Sequence, residues 1–422
     1  ADGGGEPNTL ISVPDPVDTK TTIASGMSQN GTHAWELSGY AGAAPLEYRQ
    51  MFTHYYANIY MYGLSFYRWT WLDVDTAGGT RYGDYYGPFA HTPLTMQTGR
   101  AYLVPFHIQN TSCYNWNNSG SYPERLSYHW YTSGGSLVTW DGLRTSLGRD
   151  VPPADDLHLQ AKVVAPFKPG TYTLKWDMVV EGSTWFSTQY SPWPTQDVTV
   201  NVQQSPGQAF LPDVKNSGGW VSTVVVRNNS ASAWASVDIS YVTTSGDVYS
   251  SVSYLIRPRG IGTATPPSGF SGSAVVAASQ DVAVVVRNKR YSELTLYNGL
   301  RAFGGSPGWE QVDTTLYAPI VKHDWNGRYS AIEVLNTGSA ATTVYAYFYE
   351  HDSGSYQGSL AAYNLAPGDR HTFYAQDRCP PPPGSGYCSV RLWSSTGQPL
   401  AAVVREYGSG GCLLYTSPSP RD

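Results

Sequence analysis

Val224-Val225-Val226-Arg227-Asn228 and Ile332-Glu333-Val334-Leu335-Asn336 decide the fold of this chain. Each is a short, mostly apolar run rich in β-branched residues, interrupted by Arg227 or Glu333, that ends on an asparagine, before Asn229-Ser230 in one case and Thr337-Gly338 in the other. Such residues suit a pleated, half-buried strand, and an Asn beside small polar residues suits the turn that ends it. The flanks repeat as well. Phe210-Leu-Pro-Asp-Val-Lys215 returns as Tyr317-Ala-Pro-Ile-Val-Lys322, Leu255-Ile-Arg-Pro258 as Asn364-Leu-Ala-Pro367, and Val284-Val-Val-Arg287 as Ala402-Val-Val-Arg405. Two strand-rich copies repeating about every 110 residues, at 205–305 and 312–408, predict tandem β-sandwiches. Asn228 and Asn336 read as turn formers that tolerate positive φ, with a ligand role as the alternative.

The preceding segment carries the same period-2 pattern. Ala101–Ile108, Arg125–Tyr131, Leu137–Trp140, Leu157–Val164, Thr171–Met178, Trp185-Phe186 and Val198–Val202 are strand-like and separated by Asn-Thr, Gly-Gly, Asp-Gly and Pro-Gly turn signals. About seven strands at this spacing predict one more antiparallel sandwich, over 80–204. Trp116, Leu126-Ser127-Tyr128-His129-Trp130, Pro169-Gly170-Thr171-Tyr172, Lys175-Trp176-Asp177 and Glu181-Gly182 before Trp185-Phe186 resemble the four-tryptophan, immunoglobulin-like domains of secreted bacterial proteins. That resemblance implies a spacer or binding module without catalysis. Trp116, Trp130, Trp140, Trp176 and Trp185 are expected in its core, where burial of an indole stabilises by roughly 2 to 3 kcal/mol; an exposed sugar platform is the alternative.

Composition limits the function classes. Charged and aromatic residues each make up 14% of the 422 residues, with 33 Tyr and 14 Trp, a profile of short strands and many turns. The net charge of −6 and the lack of a dense Lys/Arg cluster argue against nucleic acid and against an electrostatic hold on membranes. No run of about 18 apolar residues is present to span a bilayer. Cys379 and Cys388 frame a Pro-rich turn and are candidates for a disulfide worth roughly 2 to 3 kcal/mol, which favours an oxidising compartment. Cys113 has no His or Cys partner at ligand spacing and reads as a half-buried loop thiol, so no metal and no cofactor is expected. Asp73, Asp75, Asp155 and Asp156 read as solvated loop ends; a calcium site at Asp155-Asp156 would lack the dense Asp/Asn/Gly pattern of a dedicated loop.

At the amino end, Gly26-Met27-Ser28-Gln29-Asn30-Gly31 forms a tight-turn signature. Tyr48, Met51, Phe52 and Tyr55 then fall on one helical face, with Pro45 and Glu47 suited to its start. This pairing, with His54-Tyr55-Tyr56 at the helix end, resembles the C-terminal part of the stage II sporulation protein D family over about 20–75. The resemblance implies a secreted bacterial protein acting on peptidoglycan glycan strands, with Ser28, Gln29, His54, Tyr55 and Tyr56 edging the glycan groove. The alternative is that His54 and Tyr55 cap and pack a core helix. The family's Gly-His-Gly-type run and upstream catalytic glutamate have no counterpart here, since Thr22-Ile-Ala-Ser25 stands at the first position. No catalytic residue is therefore assigned, and residues 1–79 are expected to be a partial peptidoglycan-domain fragment. Cys412 to Asp422 matches a reading frame through a common sequencing adapter, so 409–422 is expected to be an artefactual or disordered tail outside the fold.

The expectation is a mainly β chain: three consecutive immunoglobulin-like antiparallel sandwiches preceded by a small α+β fragment. Functionally it is expected to be a fragment of a secreted, cell-wall-associated protein whose partner is peptidoglycan or another surface glycan. A non-enzymatic surface adhesin or stalk is the alternative.

Overall fold

A computed structural model describes residues 69–72, 92–110, 115–153, 155–189, 196–291, 293–301, 312–382, 386–408 and 415–416. The expected turn and helix at Gly26–Gly31 and Tyr48–Tyr56 lie outside the described residues, as does Cys113. Everything described is mainly β, in several largely antiparallel sheets of the sandwich class.

The first module runs β1 (Trp69–Leu72), β2 (Thr95–Gln97), β3 (Ala101–Asn110), β4 (Glu124–Thr132), β5 (Leu137–Thr139), β6 (Thr145–Ser146), β7 (Asp156–Val164), β8 (Gly170–Val180), β9 (Thr184–Trp185), a helical turn α1 (Phe186–Gln189) and β10 (Gln196–Gln203). One sheet has the order β1-β3-β7, the other β2-β10-β8-β4-β5, and β10 pairs β2 in parallel. The inward residues close one core around Phe106, Tyr128, Trp130, Trp176 and Val200. Trp69–Leu72, expected within the preceding fragment, runs antiparallel along Asn110–His107 of this module.

The next module comprises β11 (Gly207–Ser217), β12 (Trp220–Asn228), β13 (Ala235–Val242), β14 (Val248–Ile256), β15 (Ile261–Ala264), β16 (Ser271–Ala278), β17 (Val282–Arg290) and β18 (Glu293–Asn298). The last comprises β19 (Thr315–Lys322), β20 (Arg328–Asn336), β21 (Thr342–Glu350), β22 (Tyr356–Leu365), β23 (Arg370–Tyr374), β24 (Tyr387–Ser394), β25 (Leu400–Gly408) and β26 (Tyr415–Thr416). Strand by strand their order is the same. β14-β13-β16-β11 answers β22-β21-β24-β19, and the sheet with β15, β12, β17 and β18 answers β23-β20-β25-β26. Local devices recur too. The strand register breaks between Leu211 and Val214, and again between Ala318 and Val321, where Pro212 and Pro319 have no N–H for the ladder. Just after, the N–H of Lys215 donates to Ser222 Oγ at 2.7 Å and that of Lys322 to Ser330 Oγ at 2.9 Å.

Three expectations are corrected. Asn228 and Asn336 are not among the positive-φ residues; both are fully buried. Asn336 Oδ1 accepts the Gly338 N–H at 2.9 Å while Nδ2 donates to the carbonyls of Ala340 and Leu365, each at 2.9 Å. Asn228 does the same with Ser230 (2.9 Å), Ala233 (2.8 Å) and Ile256 (3.2 Å). The side chain, not a left-handed backbone, closes the turn. Trp140 (38% exposed) and the half-buried Trp185 leave the core to Trp116, Trp130 and Trp176. They sit instead over His129, whose ring centroid lies 4.2 and 4.3 Å from theirs. Finally, Tyr415–Thr416, in the tail set outside the fold, pairs antiparallel with Arg405 and Val404. An edge strand offers unpaired backbone groups to any chain, because ladder bonds need no particular side chain.

The modules pack on one another. Arg100 of the first reaches Asp238 Oδ2 at 2.6 Å and the Ser236 carbonyl at 2.7 Å. Between the two repeats, β20 and β25 are buried on both faces. Ile332, Val334, Ala402 and Val404 face their own core, whereas Leu335, Ala401 and Val403 join the core of the first repeat. Glu333 and Arg405 also point to that side and meet Asp213 and Arg370 in a buried ion cluster.

Candidate functional site

Along β21, Val344, Ala346 and Phe348 are fully buried, so the alternation of a strand sends Tyr345, Tyr347 and Tyr349 to the opposite face. β24 alternates likewise, with Cys388, Val390 and Leu392 inward and Ser389, Arg391 and Trp393 outward. Register places Tyr345 beside Trp393, Tyr347 beside Arg391, and Tyr349 between Ser389 and Tyr356. Ring centroids are 6.0 Å apart for Tyr345 and Tyr347, 5.7 Å for Tyr345 and Trp393, and 5.8 Å for Tyr349 and Tyr356. The first two pairs are within 27° of parallel. The Arg391 guanidinium lies 5.5 Å over Tyr347. The result is an aromatic face with one cation in it, near parallel along Tyr347, Tyr345 and Trp393 and tilted at Tyr356, its rings half-buried by their neighbours in the sheet and Tyr356 at 55% exposure.

The same framework in the first repeat carries different residues. Where the second repeat has Tyr345, Tyr347, Trp393 and Arg391, the equivalent register positions of the first hold Asp238, Ser240, Ala277 and Val275. That face is covered by the first module: Arg100 pairs with Asp238, and a Cβ on Gly99 would stand only 3.1 Å from Ala277 Cβ. Close approach of another protein surface here needs small residues and one buried ion pair. Large planar rings suit contact with something flat instead.

The other clusters of polar side chains do different work. Ser187 Oγ donates to Asp177 Oδ2 at 2.5 Å, and the same oxygen lies 3.4 Å from His129 Nε2. His129 Nδ1 meets the Trp140 carbonyl. An activated nucleophile must give its proton to the imidazole; this serine gives it to the carboxylate, and His129 and Asp177 are each 1% exposed. A cleft of about 660 Å³ lies where the first module meets the first repeat, lined by Asp141, Arg144, Lys162, Glu181, Asp247 and Tyr249 among others. Burial, with the Asp141 charge adding to it against the Asp141 N–H, pushes Asp247 above the usual aspartate range. Next to it, burial pushes Asp369 up to about 6, opposed by the Ala366 N–H and reinforced by Asp247.

Of the residues singled out from sequence, Ser28, Gln29, His54, Tyr55 and Tyr56 lie outside the described residues, as do Asp73 and Asp75. Cys379 and Cys388 are bonded, with Cα atoms 5.8 Å apart. Asp155 is held by Arg149 at 2.6 Å, while Asp156 is not a loop end: it opens β7, and its carboxylate meets His107. With His158 they bring together a group of metal-ligand type that chain spacing concealed, because His107 and His158 are far apart in sequence and adjacent only across a ladder. The aromatic face, by contrast, left a legible trace in Tyr345-Ala-Tyr347-Phe-Tyr349, one tyrosine at every second residue. Compared with known proteins, the chain matches no family model and no curated protein.

Proposed function

We propose that this chain is a glycan-binding assembly of a secreted, cell-wall-associated protein, with the face formed by Tyr345, Tyr347, Tyr349, Tyr356, Arg391 and Trp393 as the surface that receives the sugar chain. One observation carries the reading. On two sheets of the same topology, the face covered by protein holds Asp, Ser, Ala and Val, whereas the equivalent outer face holds Tyr345, Tyr347 and Trp393 with Arg391. Pyranose rings present apolar C–H faces that lie flat on aromatic rings, and their hydroxyls bond polar groups at the rim. Arg391 and Ser389, opposite Tyr347 and Tyr349 in the register, supply such groups beside the rings. The amino-terminal resemblance makes peptidoglycan the first polymer to test. Catalysis does not enter this reading.

The test is cosedimentation of the chain with insoluble peptidoglycan, chitin and cellulose, for the wild type and for Tyr347→Ala with Trp393→Ala. Two lost ring contacts at about 1 kcal/mol each weaken binding roughly twentyfold or more. Equal binding by the double variant, or no retention of the wild type on any of the three polymers, overturns the proposal. Concentration-dependent dimerisation abolished by the same substitutions would instead make the face a contact between two copies.

A further inference from the structure

On the outward face of the first module, His107 of β3 stands directly opposite His158 of β7 in the antiparallel register. Their rings stack with centroids 3.8 Å apart and 17° between planes. Asp156 precedes His158 by two residues and so shares its face; its Oδ2 lies 2.5 Å from His107 Nε2. One donor atom from each of the three falls within 4.8 Å of the other two. We propose that His107, Asp156 and His158 bind a divalent first-row transition cation, zinc in the first instance.

Three features support the assignment. Two imidazoles and one carboxylate form a borderline nitrogen–oxygen donor set, the kind zinc, copper and nickel select over magnesium or calcium. Directly opposed residues of an antiparallel pair have Cβ atoms held about 5 Å apart, so the ladder and not a mobile loop delivers the two imidazoles to one point. Arg149 beside them pairs with Asp155 Oδ2 at 2.6 Å and donates to the backbone carbonyl, not the side chain, of Asp156. The inner face beneath is apolar, with Phe106 and Ile108 buried, so the ligands stand on a rigid floor. His107 is 16% and Asp156 45% exposed, and His158 is exposed, which gives an ion access from solvent. Three protein ligands leave at least one coordination position for water or for a donor from a partner. This site is on a different module from the aromatic face and does not rest on the glycan reading.

The experiment is calorimetric titration of Zn²⁺ into the chelator-treated full chain, repeated with Co²⁺ as an absorbing probe. The wild type should take one saturable equivalent, and its thermal transition should rise with zinc. His158→Gln and Asp156→Asn, both at solvent-accessible positions, should each weaken that equivalent at least tenfold while the far-ultraviolet circular dichroism is unchanged. No saturable binding by the wild type overturns the site. So does full binding by both variants, which would place the ion on other histidines and leave His107 and Asp156 as a simple hydrogen-bonded pair.

Discussion

Replacing Asp213 by Asn tests what holds the two repeats together. The carboxylate is 1% exposed and faces three cations: Lys215 Nζ at 2.9 Å, Arg370 Nη1 at 3.4 Å and Arg405 Nε at 3.9 Å. Glu333 is the second anion of the cluster, 3.3 Å from Arg405 and 3.8 Å from Arg370. Burial alone would raise Asp213, but Lys215, Arg370 and Arg405 outweigh it and hold the carboxyl below its usual range. The substitution keeps the shape and removes the charge, leaving three cations around one carboxylate in a largely buried interface. Breaking a buried pair typically costs 3 to 5 kcal/mol, and the 10–18% exposure of the cations argues for the lower end, about 3 kcal/mol. Urea unfolding of the full chain should show that loss. The transition of the repeats should also split, because Asp213 belongs to one repeat and Arg370, Arg405 and Glu333 to the other. A depressed carboxyl contributes stability that is present above its unfolded pKa of about 4 and is lost as pH falls further, so the deficit of the variant should shrink in acid. Combining Asp213→Asn with Arg370→Met gives the coupling energy. Additive losses from the two substitutions, or a single loss below about 1 kcal/mol, would refute this account of the cluster.

Other consequences are as direct. Asn336→Ala strands the Gly338 N–H and the Ala340 and Leu365 carbonyls inside the last module and should cost about 2 to 4 kcal/mol in chemical denaturation. Asn336→Gly should be no better, whereas a turn that needed only positive φ would tolerate it. Cys388→Ala opens the loop closed with Cys379, nine positions away, and should lower stability by about 2.5 to 3 kcal/mol. Reducing the wild type should reproduce the loss, and a variant as stable as the oxidised protein contradicts it. Asp369, raised to about 6 by burial, binds more protons folded than unfolded between about pH 4 and 6. Stability should therefore fall as pH rises through that window, by about 1 kcal/mol after allowance for solvent screening. Asp369→Asn should be the more stable protein at pH 7 and draw level with wild type only below about pH 4, where the carboxyl is protonated in both states; the opposite order disproves the sign.

The repeat of Val224–Asn228 in Ile332–Asn336 was enough to foretell two alike β units, because strand alternation and turn residues are local properties written in neighbouring positions. The inward set of β21 could be listed from the chain alone, and with it the outward tyrosines. Local pattern says which face a residue takes, but not what lies over that face. Asp238 and Tyr345 occupy equivalent outward positions, and only packing decided that one is covered by Arg100 while the other lies on the aromatic face. Trp140 and Trp185 were indistinguishable from core tryptophans until the sheets closed on Trp116, Trp130 and Trp176. The same holds for long-range chemistry. His107 and His158 become neighbours through the register of β3 on β7, and Asp213 meets Arg370 through the contact of two modules. The amino-acid order by itself determined the strands, their faces and the duplication, since these follow from interactions over a few residues. Which charges, imidazoles and rings share a space depends on how sheets stack across long stretches of chain, and that only the tertiary structure decided.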